Sequence, residues 1–336
     1  MTSSDRPSFP AVPTDPWAAA HDSLNGLAVG DAFGAQHFVP ENLPGLRAHR
    51  LPPAPWPWTD DTEMACSVLR VSARDGAPDQ DGAADQDGAA DQDGAADQDG
   101  ALDQDALAQS FARHHDFDRG YGPAMNRLLR LVRQGASWRE QAAGLFDGQG
   151  SWGNGAAMRV APLGALLADD PEHAARQAAR SATVTHTHPE AVAGAVAVAV
   201  AAAVAVGGRT APLSGGELLS TVTRLTPASR VRDGVLEAWD LLDQPYAELA
   251  AHRLGNGRQV SAVDTVPFAL WCAAAHPTDY EGALRACASV GGDVDTTCAI
   301  VGGIVAARVG TAGIPLAWRE STETLPAWFR DGEAGR

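Results

Sequence analysis

Apolar residues along the chain recur at helical spacing, and no run keeps the apolar–polar alternation of a half-buried strand. Met64, Val68, Leu69 and Val71 show the pattern, falling on one side of a helix that follows Thr59-Asp60-Asp61-Thr62. The same reading predicts helices over 15–35, 103–118, 122–134, 137–146, 156–168, 171–181, 190–206, 214–226, 229–242, 246–252, 263–275, 279–288 and 297–309. The expected class is all-α, with about a dozen helices. Asp15-Pro16 is a good opening for the first helix, since Asp caps and Pro suits the first turn. Within that helix Gly26, Gly30 and Gly34 are spaced by four, which puts them on one face and permits close backbone approach. Residues 37–58 carry Pro40, Pro44, Pro52, Pro53, Pro55 and Pro57 and read as a long irregular loop. The longest apolar run, Ala191 to Val206, would span about 24 Å as a helix. That is short of the roughly 30 Å hydrocarbon core, so a buried helix is expected and no membrane span.

Composition adjusts this picture. The chain has 336 residues and a formal net charge of −17. Broad binding to nucleic acid or anionic membrane needs Lys/Arg surfaces and is not expected. A small phosphate-bearing ligand is compatible with the charge if a bound cation reverses the local field. Much of the charge is local. The unit Asp-Gln-Asp-Gly-Ala-Ala starts at Asp79, Asp85, Asp91, Asp97 and Asp103, and its ten Asp leave −7 for the rest. Residues 76–105 therefore read as a solvated, low-complexity insertion, and residues 1–14 as a disordered tail. Cys66, Cys272, Cys287 and Cys298 show no zinc spacing and are expected to be reduced and mostly buried. No secretory leader is recognisable, so a cytoplasmic location is expected; a monomer is expected.

Two acidic clusters stand where loops become helices: Thr59, Asp60 and Asp61, and Asp293, Asp295 and Thr296. Hard divalent cations take carboxylate, hydroxyl and water oxygens. If these six side chains converge, they suit two Mg2+ ions, and the ends of the chain meet in one domain over 15–330. Helix capping alone also accounts for Asp and Thr at such positions. Gly148–Gly155 is a glycine-rich loop without the Walker or Rossmann pattern; its backbone could cradle a pyrophosphate with Trp152 stacked on a base or ribose, or Trp152 could fill the core. His186-Thr187-His188 lacks a third zinc ligand, which leaves His186 a hydrogen-bonding or stacking role, or packing beside Pro189. Asp31, inside an apolar helix, needs a partner.

The segments GLAVGDAFGA (26–35), WTDDTEMA (58–65), GSWGNGAAMRVAPLG (150–164), VTHTHPEAVAGA (184–195) and GGDVDTTCAIVGGIVAARVG (291–310) resemble, in order, the motifs of the ADP-ribosylglycohydrolase family. The resemblance implies a compact multi-helix orthogonal bundle that hydrolyses a bond to the anomeric carbon of ADP-ribose. It implies Thr59, Asp60, Asp61, Asp293, Asp295 and Thr296 as ligands of two Mg2+ ions, with Asp60, Asp61 and Asp295 also serving catalysis. Ser151, Trp152, Gly153, Asn154 and His186 would line the ADP-ribose cleft, and an ADP-ribosylated protein is an implied partner. Where many members carry a Glu soon after the Gly-Asp segment, this chain has Gln36 to Pro40, with Glu41 beyond as the substitute acid/base. Hydrolysis of another nucleoside or ADP-ribose-like linkage is the alternative, and a non-catalytic structural relative a further one.

Overall fold

The computed structural model describes residues 15–72, 101–244 and 246–330. Among them there are 18 α-helices, short 3-10 turns, and no strand beyond isolated bridges such as Gly153 with Ser261. The all-α orthogonal bundle is the observed architecture.

Its centre is a pair of helices from opposite ends of the chain, Pro16–Ala35 and Val294–Val309. The Gly26/Gly30/Gly34 face lies directly on the partner backbone. A Cβ added at Gly30 would sit 2.2 Å from the Cys298 carbonyl oxygen, and one at Gly34 2.5 Å from that of Val294. Each helical glycine costs about 0.5–1 kcal/mol relative to Ala, and dense backbone contact offsets it. Tyr280 donates its hydroxyl to the Gly26 carbonyl at 2.6 Å, and Ser23 donates to that of Gly303 at 2.9 Å.

Around this pair the core is built from small side chains. Helix Pro189–Gly207 is long and apolar enough to cross a membrane, yet every residue from Ala193 to Ala203 is buried against neighbouring helices. Asp60–Ser72 packs on the first helix and on Gln104–His114 through Met64, Val68 and Phe111. All four cysteines are buried thiols.

The expected helix set holds with specific corrections. The helix expected over 156–168 exists only as Ala161–Leu166, because Pro162 fits a first turn but not an interior. The helix expected from 297 starts at Val294, so Asp295 and Thr296 belong to its first turn. The expected 137–146 helix ends at Ala143, and Phe146 and Asp147 take left-handed backbone angles. The loop after residue 36 contains a short helix, Leu43–Arg47, with Pro44 in its first turn. Most of the acidic repeat and all of the 1–14 tail lie outside the described residues. The last unit starts a helix: Asp103 caps Gln104–His114, and Asp105 pairs with Arg139 at 2.8 Å.

Candidate active site

Asp31 organises the first acidic corner. Its carboxylate, fully buried, accepts from Thr59 N at 2.9 Å, Thr62 N at 3.2 Å and the Thr62 hydroxyl at 2.6 Å. It therefore does for the Asp60–Ser72 helix what an N-cap does, from a different helix. That frees Asp60 and Asp61 from capping. The Thr59 hydroxyl stands 2.8 Å from Asp31 Oδ1 and 2.9 Å from Asp61 Oδ2. One hydroxyl proton serves one acceptor at a time. Asp61 Oδ1 is buried with no hydrogen-bond partner.

The second corner starts Val294–Val309. Asp293 occupies the N-cap position without making a side-chain cap. Its carboxylate instead accepts from Asn154 Nδ2 at 2.7 Å, which ties the glycine-rich loop to this corner. Asn154 also donates to the Thr265 hydroxyl at 3.0 Å. Asp295 accepts from Thr296 N at 2.8 Å.

The two corners meet across the first and last core helices: a Cβ added at Gly34, three residues past Asp31, would sit 2.6 Å from Asp295 Cα, while Asp31 itself holds Thr59. Burial, then Asp31, Asp295, Asp60 and Asp293, push the Asp61 carboxyl well above the usual range. Asp295 is raised by burial and by Asp293, Asp31 and Asp60. Asp60 rises to about 8, through burial and the charges of Asp31, Asp293 and Glu63. Asp293 is raised by burial, with Asn154 opposing. Without cations, such a group holds protons in place of charge. The donor set fits hard cations: carboxylates and hydroxyls only, with one orphaned oxygen on Asp61. Among the described residues, no group of three His, Cys, Asp or Glu side chains is set to hold an ion unaided. Hydroxyls, waters and substrate oxygens would have to complete any coordination.

Ser151, Gly153, Asn154 and His186 come together, with Trp152 at the rim. Ser151 Oγ accepts from Gly153 N at 3.2 Å, and the Trp152 carbonyl accepts from Ala262 N at 3.0 Å. Trp152 is 47% exposed and meets His188 edge-on, so it does not fill the core. His188 caps the Pro189–Gly207 helix through Nδ1. The His186 ring lies against Gly155, where an added Cβ would be 2.9 Å from its Cε1. Burial and Arg159 lower the His186 pKa to about 3, leaving the ring neutral.

Glu41 stands apart: it is exposed, and no hydrogen bond or ion pair joins it to the carboxylates among the described residues. Sequence reasoning missed two buried groups. Glu63, one turn beyond Asp60, accepts from the Tyr121 hydroxyl at 2.7 Å and from Asp116 N at 3.1 Å. Arg159 is fully buried, with its guanidinium over the Phe111 ring. The signal for Glu63 was its i+3 spacing from Asp60; for Arg159 it was a lone charge in the apolar run Ala156–Ala161.

Comparison with known proteins gives consistent findings. The ADP-ribosylglycohydrolase family model matches residues 14–333. An uncharacterized protein of Archaeoglobus fulgidus is 31% identical over 287 residues, covering 81% of each chain. A solved ADP-ribosylglycohydrolase-related protein complex has a chain that is 25% identical, with a TM-score of 0.59 and 95% of each chain covered.

Proposed function

The chain belongs to the ADP-ribosylglycohydrolase family, and from that premise we propose that it hydrolyses the glycosidic bond between ADP-ribose and a protein side chain or small group, in a Mg2+-dependent reaction. Family and fold support a hydrolase of this type. The observation that carries the finer reading is the convergence of two partly buried acidic corners at the Gly34–Asp295 contact, where the carboxylates raise one another's pKa. A fold gains nothing in stability from such a cluster; its use is to receive positive charge.

Thr59, Asp60, Asp61, Asp293, Asp295 and Thr296 are the residues that would hold two Mg2+ ions. Bound there, the ions would draw charge from ribose hydroxyls and lower the pKa of a water. The chain's own contribution is binding and proton management. Asn154 fixes Asp293 from the glycine loop, so ligand contact and acidic corner share one rigid link. Ser151, Trp152, Gly153 and His186 line the cleft for the ADP-ribose moiety. Asp60, half-buried beside the other carboxylates, would be held ionised by a bound cation, and an oxygen not engaged by the ion is suited to accept a proton.

The isolation of Glu41 favours a second reading of the same site, hydrolysis of a different ADP-ribose-like linkage. A panel of Arg-, Ser- and Asp/Glu-linked ADP-ribosyl peptides, small ADP-ribosyl compounds, and other nucleoside or ADP-ribose-like conjugates, assayed with Mg2+ and with EDTA, tests both. Turnover of an ADP-ribosyl peptide or small ADP-ribosyl compound that stops in EDTA supports the first reading. Turnover confined to the other conjugates selects the second, and full turnover in EDTA contradicts both.

A further inference from the structure

Arg159 has no exposed surface, and its Nη2 donates to the Ser181 carbonyl at 3.0 Å and to the Thr185 hydroxyl oxygen at 2.8 Å. The remaining contacts are the Met64 sulfur at 3.5 Å from Nη1 and the Phe111 ring. This is an expensive place for a charge, and the hydrogen-bond arithmetic shows what it does there. A guanidinium donates and never accepts, so Thr185 Oγ1 is the acceptor in that contact. The Thr185 side chain is itself fully buried and still has one O–H to place. His186 Nδ1 lies 2.7 Å from Oγ1 and is the acceptor within reach. An Nδ1 that accepts carries no proton, so the neutral ring bears its proton on Nε2. That nitrogen faces the glycine loop: Cβ atoms added at Gly155 and Gly153 would lie 3.1 and 3.4 Å from it.

We propose that Arg159 and Thr185 are positioning residues, a buried relay that locks His186 as an Nε2–H donor aimed into the cleft. The site thereby requires an acceptor oxygen at that point, such as a phosphate or ribose oxygen, and disfavours a donor. What sits there rests on the ADP-ribose reading above; the tautomer does not. Arg159 and Thr185 make no hydrogen bond to either corner; Arg159 feels Asp60 only through its field, and the hydrogen-bonded route from the pair runs through His186.

The test is 15N NMR of histidine ring nitrogens in ligand-free protein, with His186 assigned by the signal lost in His186→Gln. Wild type is expected to show an unprotonated Nδ1 and a protonated Nε2. Thr185→Val removes the hydroxyl, and the His186 signals should move toward the Nδ1–H form; Thr185→Ser should restore them. Calorimetry with ADP-ribose should then show about 10-fold weaker binding for Thr185→Val, the scale of one hydrogen bond to a charged group, with Thr185→Ser near wild type. An Nδ1–H or doubly protonated ring in wild type overturns the relay, even if Thr185→Val fails to fold. So does unchanged tautomer and affinity in a folded Thr185→Val. If wild type shows the expected tautomer but binds no ADP-ribose, the relay stands and the proposed substrate is what fails.

Discussion

The helices Pro16–Ala35 and Val294–Val309 lie side by side, and their two ends do opposite things. Around Gly26 and Gly30, backbone meets backbone with no room for a methyl group. Around Gly34, the same close approach brings Asp31, at the end of one helix, within the electric field of Asp295, at the start of the other. One end gains stability from tight packing. The other spends it on carboxylates that each make the others harder to ionise. The comparison teaches that the glycine face has two results from a single cause, a firm core and a crowded acidic site.

The largest effects should come from the acidic end. Asp61→Asn or Asp295→Asn is expected to lower hydrolysis by at least about 10^3-fold, or ~4 kcal/mol of barrier, in initial-rate assays of an ADP-ribosylated peptide. A variant retaining a tenth of wild-type activity would break the comparison by showing that the crowding serves nothing. Next comes the packed end. Gly30→Ala should destabilise the fold by about 3 kcal/mol, the upper part of the usual overpacking range, read as a shift of the urea midpoint. An unchanged midpoint would mean that the helices separate easily.

Removing one charge sharpens the contrast further. Asp60→Asn should stabilise the cation-free protein at pH 8 by roughly 1–2 kcal/mol, the order expected when an uncompensated buried charge is deleted, while abolishing turnover. The pH dependence has a defined sign. Asp60 titrates near 8 when folded and in the ordinary carboxylate range, about 4, when unfolded. The folded state therefore holds the extra proton between those values. Its contribution to stability is complete below about pH 4 and disappears as the pH rises through 8. Thermal melts of EDTA-stripped protein should fall from pH 5 to pH 8, and added Mg2+ should remove the fall. The smallest effect is expected at Glu41, exposed and outside the cluster. Glu41→Gln should change turnover by less than about 2-fold, the scale of a surface substitution; a 100-fold loss would show that its loop swings in to the chemistry.

Much of this was legible from the chain alone, for reasons that separate cleanly. Thr59-Asp60-Asp61 and Asp293-Val294-Asp295-Thr296 are short runs, so their ligand-like chemistry is visible without a fold. The Gly26/Gly30/Gly34 spacing announces a close-packed face because a helix repeats every 3.6 residues. What the chain hides is partnership at a distance. Asp31 caps a helix whose first residues are 28 and 31 positions away, so capping and cation binding at Asp60 and Asp61 could not be told apart. The start of the last core helix was hidden because Val294 between two Asp looks like loop. Trp152 could go either way, since a tryptophan after glycines suits a core or a rim. Arg159 gave no sign of its bonds to Ser181 and Thr185, which arrive from another helix and its exit turn.

Isothermal titration of Mg2+ into EDTA-stripped protein tests the convergence of the two corners most directly, with wild type compared to Asp61→Asn and Asp295→Asn. Saturable uptake that is weakened by either single substitution is the predicted result, because each corner supplies part of one site. Uptake indifferent to one of the two substitutions, or no uptake by folded wild type, would contradict it.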